Sequence, residues 1–250
     1  MFRQKIAHSK KQAKDRIRWR SHEVGRIEAF TDAVFAFAVT LLIVSLEVPK
    51  SFDELIHDLF GFIPFGLGFL FLFHIWGHQH QFFRRFGLHD SYTNGLNAML
   101  IFVILYFVYP LKFLASFLIK LIFQQEFILA RTDVYKLMIL YSSGFVLVYV
   151  LLALMYVHAL KCRHELELNE SEVFETRTSL YEHLTMVSIG VASIVLAIIL
   201  PNAPFFSGII YGIVSIPLGI LHSKRGKEHR LRFETITEGE KPVPQESPVK

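Results

Sequence analysis

The stretch Gly25–Pro49, GRIEAFTDAVFAFAVTLLIVSLEVP, governs how the rest of the chain is read. It opens on a charged cluster, runs 14 residues from Ala33 to Leu46 without a charge, and stops at Glu47 and Pro49. Crossing the hydrocarbon of a bilayer takes roughly 20 mostly apolar residues in a helix. The stretch therefore predicts a first membrane helix. Three features set it apart from a plain anchor: an acid near its start (Asp32), a hydroxyl at mid-depth (Thr40), and the phenylalanines Phe30, Phe35 and Phe37.

Composition points the same way. The 250-residue chain is 52% hydrophobic and 19% charged, with 25 Phe and a mean hydropathy of +0.40, whereas soluble domains carry about 25% charge. Its charges gather in the tails and at a few junctions. A net charge of +4 can signal nucleic acid, but here the basic residues flank apolar runs. That placement predicts anionic lipid as the partner of the basic N-terminal tail, and no nucleic acid. A single cysteine, Cys162, allows no internal disulfide and no cysteine zinc pattern. Residues 1–22 are polar and lack an apolar core, so no cleavable signal is read there and the first helix serves as the insertion signal.

Five further apolar runs follow, at about 55–73, 94–123, 135–160, 184–200 and 205–221, giving six spans. The second is interrupted by Gly61, Pro64, Gly66 and Gly68 and leads into HIWGHQHQFFRRFG at 74–87, with His74, His78 and His80 at the cytoplasmic end of the second helix and a junction at Arg84-Arg85. A break in the third is expected at Pro110. The junction CRHELELNESEVFETR at 162–177 mixes acids with bases, and Pro201-Asn202-Ala203-Pro204 reads as a tight hairpin. The predicted organisation is an all-α membrane protein with a basic tail (1–23), a six-helix membrane domain (24–222) and a charged tail (223–250) whose Pro-rich end is expected to be disordered. Lys and Arg concentrate in the N-terminal tail, at Arg84-Arg85, at Lys161/Arg163/Arg177 and in the C-terminal tail. By the positive-inside rule this puts both termini in the cytoplasm of a multi-pass plasma (inner) membrane protein. The chain has no internal repeat, and six helices leave little room for a water path within one copy. Any pore would form on a symmetry axis between copies.

At about 100° per residue, Arg26, Phe30, Ala33, Leu41, Val44 and Val48 fall within about 40° of Phe37, with Thr40 about 60° away. Asp32 lies about 140° off, toward the subunit's own bundle. Facing an axis, the Phe37–Leu41–Val44 ladder would make a narrow, dewettable constriction with Thr40 as its polar ring. The alternative is a lipid- or core-facing stripe in which Thr40 bonds back to the Ala36 carbonyl. An acid within a span needs a partner. Arg26, His80 and Asn97 are the candidates, and a first-turn capping role for Thr31 and Asp32 is the alternative. Arg26 and Asp32 are six positions apart and do not share a helix face, which favours a network between helices.

Arg26-x-x-x-Phe30-Thr31-Asp32 followed by AVFAFAVTLL resembles the first-helix signature of the lysosomal/endosomal potassium channel family (transmembrane protein 175 type) and its prokaryotic relatives, R-x-x-x-F-S-D. Asn97 through Phe113, NAMLIFVILYFVYPLKF, is similar to the family's third-helix stretch. Trp76, His80 and Phe83 resemble its second-helix W-x-x-H-H…F stretch, with Gln79 where a histidine is common. The resemblance covers roughly residues 24–222. It implies a homotetramer whose first helices line a central, potassium-permeable pore without the TVGYG filter, a sequence absent here. It implies no cofactor and no catalytic residues. By position, Phe37 matches the constriction, Leu41 and Val44 the next rungs, and Thr40 the motif threonine. Arg26, Phe30, Thr31 and Asp32, with Trp76, His80 and Asn97, match the packing and hydrogen-bonding network.

Two other functional classes compete with this reading. A proton-coupled secondary transporter would use Asp32 and a histidine, and would show inverted repeats with matching broken helices. Only the Gly/Pro-rich second run hints at that. A metal or redox enzyme would need more than the i, i+4 pair His74 and His78, which has no H-E-x-x-H around it and no nearby acid between it and Asp90. No phosphate loop, G-x-S-x-G or intramembrane carboxylate pair is present. The expectation is therefore a non-enzyme with no bound metal.

Overall fold

The computed structural model describes residues 19–21, 23–43, 51–52, 62–119, 131–201, 208, 210–211 and 214–234. Val44, most of both tails and Asn202–Pro204 of the expected hairpin lie outside the described residues. Among the described residues six α-helices form: α1 Arg26–Ile43, α2 Phe62–Phe86, α3 Ser91–Ile119, α4 Arg131–Lys161, α5 Glu170–Ile199 and α6 Ser215–His229, the last continuing into a π-helical turn at Arg230–Glu234. Among the described residues, three stretches are both long and apolar enough to cross a membrane: Ser91–Leu111, Val134–Lys161 and Glu170–Ile199.

Several expectations need correction. The second helix does not end at the Arg84-Arg85 junction: α2 runs unbroken to Phe86. Leu72, Ile75, Gln79, Phe82, Phe83 and Phe86 are all buried along it, a 3.6-residue stripe that helix packing rewards whatever the overall polarity. Pro64 sits in the first turn of α2, where a missing N–H costs little, so it does not interrupt the helix. Pro110 does not break α3 either. The helix passes through it, and the Tyr141 hydroxyl from α4 donates to the Pro110 carbonyl. Packing against neighbouring helices makes a proline tolerable at such a position.

The fifth helix begins at Glu170, 14 positions before the expected Leu184. Its start is a capping box. The Asn169 side chain accepts from the Glu172 N–H at 2.8 Å, and the Glu172 carboxylate accepts from the Asn169 N–H at 3.1 Å. Hydropathy is blind to such a signal. The last helix likewise passes the expected boundary at 222: His229 is buried and meets the Ser171 hydroxyl at 2.9 Å.

Helix α1 packs on α2 and α3, α3 on α4, and α6 on α5, while α4 and α5 form the most extensive pair. A fully buried cluster of Phe82, Phe83, Leu100, Leu152, Met155 and Tyr156 joins α2, α3 and α4. Gly144 on α4 lies so close to the Phe107 ring of α3 that a Cβ could not fit. One end of the bundle gathers the chain's basic junctions. Gly87, with φ of 59°, turns α2 toward α3, a left-handed geometry that suits glycine. Residues 19–21 cross beneath, with the Arg20 and Ser21 amides donating to the Arg84 carbonyl at 3.2 and 3.4 Å. Arg20 belongs to the expected basic tail. In the structure it clamps the buried Glu172 through two hydrogen bonds of 3.1 and 2.9 Å, and its Nε donates to the Leu166 carbonyl at 2.9 Å.

Candidate functional site: the first helix and its anchoring network

Helix α1 has two unlike faces. Toward the bundle it turns Glu28, Thr31, Phe35, Ala38 and Leu42, all buried. Away from it stand Arg26, Ala29, Phe30, Ala33, Ala36, Phe37, Thr40 and Leu41, all exposed in the single chain. Phe30 is 61% and Phe37 57% exposed, large fractions for phenylalanine on a helix whose other side is packed. This is the division the 100° wheel gives, with the aromatic ladder and Thr40 together on the unpartnered side. The Thr40 hydroxyl donates to the Phe37 carbonyl at 2.7 Å, one residue along from the Ala36 acceptor expected. The Thr40 side chain is itself exposed.

Two polar chains anchor the buried face. In the first, the Thr31 hydroxyl donates to the Ile27 carbonyl at 2.8 Å and accepts from Asn97 Nδ2 of α3 at 2.8 Å. The Asn97 carbonyl oxygen in turn accepts from Gln79 Nε2 of α2 at 3.2 Å. All three side chains are at most 2% exposed, so each bond satisfies a group that would be costly to leave alone. In the second, Trp76 Nε1 donates to Asp32 Oδ1 at 2.7 Å, and the Trp76 ring stacks on His80 with centroids 5.1 Å apart.

Asp32 thus finds its partner on another helix, but none of the three candidates. Arg26 is exposed and makes no ion pair among the described residues. Asn97 belongs to the Thr31 chain, and His80 reaches Asp32 only through the indole it stacks on. The Trp76 and Gln79 assignments were open to inspection in one respect: both follow the buried stripe of α2, which the polar composition of 74–87 concealed. Glu28 was also missed. It is 4% exposed in the first turn of α1, with Oε1 at 3.7 Å from His89 Nε2.

His74 and His78 place their Nε2 atoms 3.1 Å apart, and His183 from α5 adds a ring edge-on to His78 with centroids at 5.0 Å. Among the described residues no group of three or more His, Cys, Asp or Glu side chains has the arrangement to hold a metal ion.

Comparison with known proteins bears on this site directly. The sequence profile of the endosomal/lysosomal potassium channel TMEM175 matches residues 26–110, which include both anchoring chains. A potassium channel of Marivirga tractuosa is 35% identical over 227 residues, covering 84% of this chain and 92% of that protein. A potassium channel of Chamaesiphon minutus is 33% identical over 105 residues, 39% of this chain and 52% of that one. Among solved structures, the crystal structure of a variant of the potassium channel MtTMEM175 with a nanobody–MBP fusion superimposes with a TM-score of 0.75 at 32% identity, covering 85% of this chain and 97% of that one. With its apolar helices and this similarity along nearly its whole folded length, the chain is a multi-pass membrane protein belonging to the endosomal/lysosomal potassium channel TMEM175 family.

Proposed function

We propose that four copies of this chain assemble around an axis lined by α1 and conduct K⁺ through a hydrophobic constriction. Each copy contributes six spans, with both termini in the cytoplasm of the plasma (inner) membrane. The observation that carries this reading is the unpartnered face of α1. Phe30, Phe37 and Leu41 stand out from a helix whose opposite face is fixed by Thr31 and Asp32. The small Ala29, Ala33 and Ala36 beside them allow close helix approach. Rings of such side chains around a four-fold axis would close by dewetting, with Phe37, Leu41 and Val44 as the apolar rungs. Thr40 is the hydroxyl within reach of a passing ion, and its oxygen would bias selectivity. The relatives named above are potassium channels, and the same activity is assigned here: a potassium-permeable cation channel, with K⁺ as the permeating ion and neither catalysis nor a cofactor.

Reconstituted protein should be recorded under opposed K⁺ and Na⁺ gradients. A current reversing toward the K⁺ equilibrium potential, enlarged by Phe37→Ala, is the expected result. Slow, saturable, pH-dependent flux without unitary currents would replace this reading with proton-coupled transport through Asp32.

A further inference from the structure

At the end of the bundle where the basic junctions gather, a cavity of about 420 Å³ opens between the α4–α5 loop, the first turns of α5 and the end of α6. Four guanidinium groups, from Arg163, Arg177, Arg225 and Arg232, line it against two carboxylates, Glu170 and Glu228. The pocket is therefore cationic by two charges. We propose that it is a binding site for a phosphate-bearing anion, distinct from the conduction path.

The arginines are not spent on one another's counter-charges. Arg225 is built in as the floor. Its guanidinium lies 3.8 Å from the centre of the Phe174 ring, and its Nε donates to Thr178 Oγ1 at 3.0 Å. A terminal nitrogen donates to the Phe174 carbonyl at 3.3 Å. Its one carboxylate, Glu228, is 3.4 Å away and about half exposed, the kind of pair that contributes little. Arg177 is exposed and makes no ion pair among the described residues. Arg163 lines the cavity and donates its Nε to His164 Nε2 at 3.2 Å. Arg232 is exposed, its guanidinium 5.8 Å from the centre of the Phe233 ring, and makes no ion pair among the described residues. Several forked donors around one concavity suit tetrahedral oxyanions with more than one charge, because guanidinium binds phosphate bidentately. Residues of three separate segments converge here, so an occupant would tie the α4–α5 loop to α6. The site is argued from this geometry and does not depend on which ion the chain conducts.

The shared chemistry is a phosphate group, and its source is either a soluble polyphosphate or the headgroup of an anionic lipid. Titration of the purified full-length protein in phosphatidylcholine nanodiscs with sodium tripolyphosphate, by calorimetry, tests the first. Incorporation of spin-labelled phosphatidic acid into the same nanodiscs tests the second. At least one probe should bind saturably, and Arg177→Gln with Arg232→Gln should weaken it by about tenfold or more for each guanidinium removed. Both residues are exposed, so the double variant should fold. The control Lys224→Gln removes an exposed charge of the same helix outside the cavity and should leave binding unchanged. Tripolyphosphate binding identifies a soluble ligand, and binding of phosphatidic acid alone identifies a lipid headgroup. Absence of saturable binding by both probes, or equal weakening in the control, overturns the proposal.

Discussion

Trp76 of α2 donates its indole N–H to the Asp32 carboxylate of α1 at 2.7 Å, across 44 positions of sequence. This bond fixes the rotation of α1. With Asp32 held toward α2, Phe37 and Thr40 must face away, because they lie on the other side of the helix. Trp76→Phe keeps the ring and removes the donor. It should destabilise the protein by about 1–3 kcal/mol, the range for a buried polar group left unpaired. Adding Asp32→Ala to Trp76→Phe should cost less than the sum of the two single changes. Thermal unfolding of the four proteins measures this, and strict additivity would show that the bond contributes nothing.

The Thr31–Asn97–Gln79 chain lies in the dry interior, so its middle member matters most. Asn97→Ala leaves both Thr31 and Gln79 without their partner and opens a cavity. A loss of about 2–4 kcal/mol is expected, with less purified oligomer by size-exclusion chromatography. Asn97→Asp retains an acceptor for Gln79 but loses the donor to Thr31, and should fall between wild type and alanine.

Arg20 and Glu172 form a pair in which the acid is only 2% exposed. Removing one partner of a buried pair is costly, about 3–5 kcal/mol where both are deeply buried, and less here because Arg20 is 19% exposed. Arg20→Ala should therefore lower the melting temperature more than Glu172→Gln, which keeps an oxygen for the capping box. Truncation of residues 1–18 should have a much smaller effect than truncation through residue 20.

On the exposed face of α1, Phe37→Ala should raise the basal conductance by widening an apolar constriction. Thr40→Val should change the K⁺/Na⁺ permeability ratio with little change in expression. Bi-ionic reversal potentials in planar bilayers give both numbers. If neither substitution alters any current, the pore runs elsewhere and the face meets lipid.

Asp90 caps α3, accepting from Thr93 Oγ1 at 2.6 Å and from the Tyr92 and Thr93 amides at 3.1 and 3.3 Å. Partial desolvation alone would raise its pKa. The hydrogen bonds from Thr93 and Tyr92, with His158 at 3.0 Å, outweigh it and hold the carboxyl below its ordinary value. A depressed folded-state pKa contributes stability that is complete above the unfolded carboxylate value of about 4 and is lost as pH falls through the folded one. Wild type should accordingly lose more stability than Asp90→Asn on going from about pH 5 to pH 3. Parallel acid titrations of the melting temperature would reveal the difference, and superimposable curves would mean that Asp90 does not report on folding.

What the sequence determined by itself was whatever is written in local period and composition. The charge-free run in α1 read as a helix, which forms at Arg26–Ile43, and the 100° wheel separated Phe37 and Thr40 from Asp32, because helical phase is set by counting residues. Tertiary structure decided which groups meet. Whether Asp32 is met by His80, Asn97 or Trp76 depends on the rotation and axial register of α2 against α1. These follow from packing of Phe82, Leu100 and Leu152 far away in the chain. The same applies to the extra turns of α2 and to the clamp of Arg20 on Glu172. Hydropathy sees only the free energy of leaving water. The end of α2 is held by a buried stripe whose partners exist only after the bundle has assembled, whereas α5 starts at a local capping box of residues three apart, a signal in the sequence that hydropathy does not read.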